Sequence, residues 1–188
     1  MIDGHKVEPL LLGYMAKRIT PRPAGFPAPV DEICSVSGCI AQEPEGWIDE
    51  WKHNDFFLYD SAQLAESVVP KRHRDRFRVY AYRAAPIYYD PDGGRHLFEL
   101  PEIHPEPIPS SFEFLGYDVV SRGESVTFEC SPLSCSTLAT EIHVNQRCLL
   151  DSYVEALEVA KRCAEEQPEP GNYFIVEVWA STAPSNSP

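Results

Sequence analysis

The residues with the widest chemical reach are six cysteines and six histidines. Cys34 and Cys39 have four residues between them, Cys130 and Cys135 have the same interval, and His143 and Cys148 repeat it. A zinc ion asks for four ligands converging as a tetrahedron, and Cys130, Cys135, His143 and Cys148 could supply them. Structural zinc sites usually place about two to four residues between paired cysteines, so this interval sits at the edge of the pattern. The competing reading is six free thiols, mostly buried, because free cysteine packs as a small apolar side chain. A nucleophilic cysteine needs a base beside it, and His143 is the sequence-local candidate for Cys135 or Cys148.

A second group is basic. Lys71, Arg72, Arg74, Arg76, Arg78 and Arg83 concentrate positive charge in an otherwise acidic chain. Arginine offers two parallel donors to a phosphate or carboxylate. Strand alternation would put Arg78, Tyr80 and Tyr82 on one face, a candidate ligand-binding surface with rings for stacking; the alternative is a solvated loop whose arginines pair with nearby acids. Glu177 stands in Tyr173–Trp179, a run apolar on both faces that reads as a central strand. A carboxylate there needs a partner cation, a cleft or an end in solvent. Trp47 and Trp51 are four apart and predict one face of a short helical turn anchored to the core. No nucleophile elbow, phosphate-binding glycine loop or dinucleotide fingerprint is present, so no cofactor is expected.

These residues must be positioned by a modest set of elements. Strands are expected at Leu10–Ile19, Ile33–Ile40, Asp55–Tyr59, Phe77–Tyr82 and Tyr173–Trp179. Phe112–Val120 and Glu124–Cys130 predict a hairpin around Arg122 and Gly123. Asp60 or Ser61 caps a helix reaching Val69. Ser152 and Glu155 form a capping box for the strongest helix, Ser152–Glu166. Asp90–Gly94 has turn chemistry. The 18 prolines fall largely in connectors, and no internal repeat is evident. Strands with two or three interspersed helices and no βαβ rhythm predict an α+β fold with a mainly antiparallel (mixed) sheet. A single domain over residues 1–180 and a disordered tail over 181–188 are expected.

The stretch from Asn54 to Ser67, followed by the aromatic strand Phe77–Tyr82, resembles the central unit of ADP-ribosyltransferase-like folds. The resemblance implies a transferase acting on a nicotinamide nucleotide. Arg18 would sit on its early strand, Tyr59 or Ser61 at the end of its middle strand, and Glu177 on its late strand as the catalytic acid residue.

Composition sets the other expectations. The chain has 188 residues, 43% hydrophobic and 24% charged, with a formal net charge of −13. That apolar mass suits a folded domain. The negative charge argues against nucleic-acid binding by bulk attraction. No apolar run approaches the ~20 residues of a membrane span, and the first residues lack a secretory pattern, so a cytoplasmic protein is expected. The leading functional expectation is a small acidic protein-binding domain, an inhibitor or immunity-type partner of a basic protein. The transferase is the alternative, and a small zinc-stabilised protein a second one.

Overall fold

A computed structural model of the chain describes residues 8–98, 102–123 and 128–182. Its centre is an antiparallel sheet. The strands are β1 (Leu10–Arg18), β2 (Phe77–Tyr89), β3 (Arg95–Leu97), β4 (Phe112–Arg122) and β5 (Asn172–Ser181), in the order β1-β2-β5-β4, with β3 paired to β2. The helices are α1 (Ala62–Ser67), α2 (Pro132–Cys135) and α3 (Tyr153–Glu166). The α+β reading therefore holds, with every pairing between the strands antiparallel.

Local chemistry explains most of these elements. Ser152 caps α3 by accepting from the Glu155 amide, and the Glu155 carboxylate accepts from the Ser152 amide, so the capping box forms. Ser61 caps α1 in the same way through the Leu64 amide. The α3 face bearing Ala156, Val159, Ala160 and Cys163 packs with Val119, Tyr173 and Ile175 of the sheet. Fully burying an isoleucine such as Ile175 stabilises by roughly 1.5–3 kcal/mol. Helix α1 lies over Phe77 and Val79 on the same sheet face. The opposite face carries Lys17, Tyr80, Tyr82 and Asp118, and irregular loops cover it.

The chain is built twice. Residues 10–89 run β1, loop, α1, β2, and residues 112–181 run β4, loop, α3, β5. Leu12-Gly13-Tyr14 returns as Leu115-Gly116-Tyr117. Asn54, Leu58, Asp60, Ser61 and Ala65 return at the same spacing as Asn145, Leu149, Asp151, Ser152 and Ala156. Both copies have a bulge before the strand glycine, and the glycines have φ of 141° and 142°. Both form an isolated bridge from the following tyrosine to the end of the loop before the helix, Tyr14 to Tyr59 and Tyr117 to Leu150. With β2 and β5 antiparallel at the centre, a pseudo-twofold perpendicular to the sheet relates the halves. The expectation of no repeat is corrected: the shared residues are too few and too widely spaced to stand out along the chain.

Other expectations also change. Ile33–Ile40 forms no strand, because Ser35, Val36 and Ser37 turn their polar groups inward to buried charges. Asp55–Tyr59 is a turn with φ of 56° at Phe57 rather than a strand. The partner of β4 is β5, while the backbones of Glu129 and Cys130 bond to Ser121; residues 124–127 of the expected hairpin lie outside the described residues. Ser181 belongs to β5 and Thr182 donates to Ser111 O, so the tail does not begin at 181; residues 183–188 lie outside the described residues.

Candidate thiol and charge centre

Beneath the two cysteine loops lies a buried pair of opposite charges. Asp118, on β4, is fully buried. Its carboxylate accepts from Ser35 Oγ and the Val36 amide, each at 2.9 Å, and from Ser131 Oγ at 2.6 Å. Ser35 follows Cys34 and Ser131 follows Cys130, so one carboxylate holds a Cys-Ser step from each half. Burial pushes the Asp118 carboxyl up, against the lowering by these hydrogen bonds. Lys17, on β1, donates to the carbonyls of Ser35, Val36 and Ser37 and pairs with Glu43 at 3.2 Å. Burial pulls its ammonium down, while Glu43 opposes that shift. Losing either charge would strand the groups that satisfy it.

This frame sets the thiols. Ser37 Oγ donates to Glu129 O and accepts from the Cys39 amide. The Cys135 amide donates to Ser131 O in the single turn of α2. As a result Cys39, Cys130 and Cys135 place their sulfurs within 4.8 Å of one another, with Cys39 and Cys130 at 3.4 Å. Burial raises the Cys39 thiol, but hydrogen bonds from Ser37, Cys130 and Cys135 together outweigh it and hold that thiol below its ordinary value. The other three cysteines are buried: Cys34 accepts from Tyr80, Cys148 donates to Leu133 O, and Cys163 lies on the buried face of α3.

The expected zinc set is not brought together. His143 is 79% exposed beside Asp151, and Cys148 is buried away from it. Cys130 and Cys135 do approach one another, but their companion is Cys39 from the other half. The signal available in the sequence was the pair of Cys-x4-Cys motifs, which had to be read as partners across the duplication.

The transferase residues also disperse. Arg18 ends β1 and lines a cleft of about 400 Å³ with Arg72, His73 and Arg76. Tyr59 is fully buried and donates to Trp47 O, and Ser61 is occupied as the α1 cap. Glu177 pairs with Arg83 at 3.3 Å and accepts from the Trp179 indole at 3.2 Å. It is 13% exposed and lines a second cleft of about 400 Å³ with Arg83, Tyr117 and Tyr153.

Arg83 and Glu177 face one another across β2 and β5, so Arg78, Tyr80 and Tyr82 project from the opposite side of the sheet. The expected ligand-binding face is corrected on this point. Tyr80 and Tyr82 are core residues, and Arg78 is joined by Arg147 in gripping Glu32 at 2.9 and 3.0 Å. Burial of these rings leaves no surface there on which a base could stack.

The aromatic group around Trp51 reaches solvent. Trp47 is half-buried and packs on Tyr59 and Phe57, but the backbone turns left-handed at Trp51, with φ of 49°. Trp51 is thereby turned off the face of Trp47 and is 82% exposed, against the expectation of two core anchors. Its ring tilts over His53 at 6.0 Å, and His53 stacks on Phe57 at 4.7 Å.

No helix among the described residues is long and apolar enough to cross a membrane. No family model, curated protein or solved structure matches this chain.

Proposed function

We propose that this chain is a protein-binding domain that engages a basic partner through Trp51, as an inhibitor or immunity-type protein would. The supporting observation is the exposure of Trp51. A tryptophan in the left-handed region carries backbone strain of roughly 1–3 kcal/mol, and its ring gains little here from burial. Folding alone gives no reason to keep it. Tryptophan is among the residues most enriched at interface hot spots, where a large rigid ring fills a pocket on the partner.

Ile48, beside it, is also exposed. Glu45, Asp49 and Asp55, close to it in sequence along with the exposed Lys52, are exposed acids on a chain of net charge −13. Such a field speeds encounter with a basic surface and disfavours acidic competitors. The fitting partner is therefore basic around an apolar socket. The dispersal of Arg18, Tyr59, Ser61 and Glu177 gives the transferase reading less support.

The test uses the wild-type chain and Trp51→Ala as parallel baits across a salt series, with both proteins first shown to unfold at the same urea concentration. The expected result is a basic partner held by the wild type, held at least 10-fold more weakly by the variant, and released as salt rises. Equal retention of every partner by the folded variant overturns the reading.

A further inference from the structure

The three-thiol cluster is independent of Trp51. Cys34, Cys148 and Cys163 are buried as small apolar side chains. Cys39 is exposed and Cys130 and Cys135 are half-buried, so core filling does not explain why these three meet. Their spacing has a chemical meaning. Zinc–thiolate bonds are about 2.3 Å, which puts tetrahedral sulfur ligands about 3.8 Å apart. The 3.4 Å separation of Cys39 and Cys130, and the 4.8 Å limit on the whole group, bracket that value.

The support is also built before any ion arrives. Asp118 fixes the Cys-Ser step of both loops, Ser37 fixes Cys39 against Glu129, and the α2 turn fixes Cys135. Ligands held this way lose little freedom on binding. We propose that Cys39, Cys130 and Cys135 bind one thiophilic d10 cation, zinc(II) or copper(I), as three thiolates that join the two halves of the duplication.

Soft thiolates select these ions over magnesium, calcium or manganese. Copper(I) is satisfied by three sulfurs. Zinc(II) takes a fourth ligand, and the exposed side of Cys39 leaves room for water. The charge of Glu169 bears on both Cys39 and Cys130. Binding releases the thiol protons to solvent, and no electron is transferred.

The test titrates the reduced, metal-free full chain with zinc(II) against a chromophoric chelator, and separately with copper(I) against a copper(I)-specific chelator. The expected result is one equivalent of at least one ion, bound at least 100-fold more weakly by Cys39→Ser or Cys130→Ser and unchanged in Cys163→Ser. The two titrations decide which ion is preferred. Cobalt(II), as a probe, is expected to give a thiolate charge-transfer band that Cys39→Ser loses.

A measurement on the wild type needs no variant: the ion should slow alkylation of Cys39, Cys130 and Cys135 at least 10-fold, read by peptide mass spectrometry. Absence of stoichiometric binding, unchanged affinity in Cys39→Ser, or alkylation indifferent to both ions overturns the proposal. So does recovery of a metal-free chain with Cys39 and Cys130 joined as a disulfide.

Discussion

Asn54 and Asn145 make the same hydrogen bonds in the two halves of the fold. The amide of each donates to a strand carbonyl, Leu12 O at 2.8 Å or Leu115 O at 3.0 Å. Each also donates to an aspartate six residues on, Asp60 or Asp151, at 3.1 Å. The side-chain oxygen of each accepts from two amides of its own turn. One asparagine thus ties a turn, a strand and a helix start together, and the duplication has kept both. The strand glycine is what lets the turn approach. A Cβ at Gly13 would sit 2.7 Å from Tyr59 O, and one at Gly116 would sit 2.7 Å from Leu150 O.

Gly13→Ala and Gly116→Ala are therefore expected to be equally damaging. Each forces a side chain into backbone at a positive φ, which should cost more than about 2 kcal/mol. Urea unfolding followed by circular dichroism reads the loss. A loss at one site and none at the other would show that the second half does not repeat the packing of the first.

Asp118 predicts a graded series. Asp118→Ala leaves three buried donors without an acceptor and removes a compensating charge from the surroundings of Lys17, at an expected cost of about 3–5 kcal/mol. Asp118→Asn keeps one acceptor oxygen but turns an amide donor toward other donors, so its loss should be smaller but still measurable. Equal urea midpoints for wild type and both variants would contradict the role of this carboxylate in holding the cysteine loops.

What could be read along the chain was what short-range chemistry decides. Apolar runs placed β1 and β5, alternation placed the first half of β2, and the capping box placed α3 to within a residue. The separation of Arg78, Tyr80 and Tyr82 from Phe77, Val79 and Ala81 was also legible. Which of those faces would be buried was not, because the cover over Tyr80 comes from Glu32 and Cys34, far away in sequence. Cys39 was missed as a companion of Cys130 for the same reason. Trp51 defeated the helical spacing because a single left-handed residue ends the turn and redirects the ring.

Glu177 predicts a mild effect. Its partner Arg83 is partly exposed, so solvent screens the pair. Glu177→Gln keeps an oxygen for the Trp179 indole, and the change in stability should stay within about 1 kcal/mol. Neither protein is expected to cleave a nicotinamide nucleotide above background. Cleavage by the wild type that disappears in the folded variant would restore the transferase reading at this cleft.

The last prediction concerns alkali. Burial pushes the Cys34 thiol from 9.0 up to about 11 and the Cys163 thiol up to about 12, and it pushes the Tyr14 phenol from 10.0 to about 12. The Tyr80 and Tyr82 phenols are raised as well, again chiefly by burial. All of these groups hold their protons in the folded chain at pH values where the unfolded chain has released them. Their contribution to stability is thus complete below the unfolded thiol value of about 9 and is lost as pH rises toward about 12. The urea midpoint should fall steeply between about pH 9 and about pH 12, and Cys163→Ala should fall less over that interval because one raised thiol is gone. A flat midpoint would mean that water reaches these groups in the folded state, and the core around Tyr80 and α3 would then be looser than its packing implies.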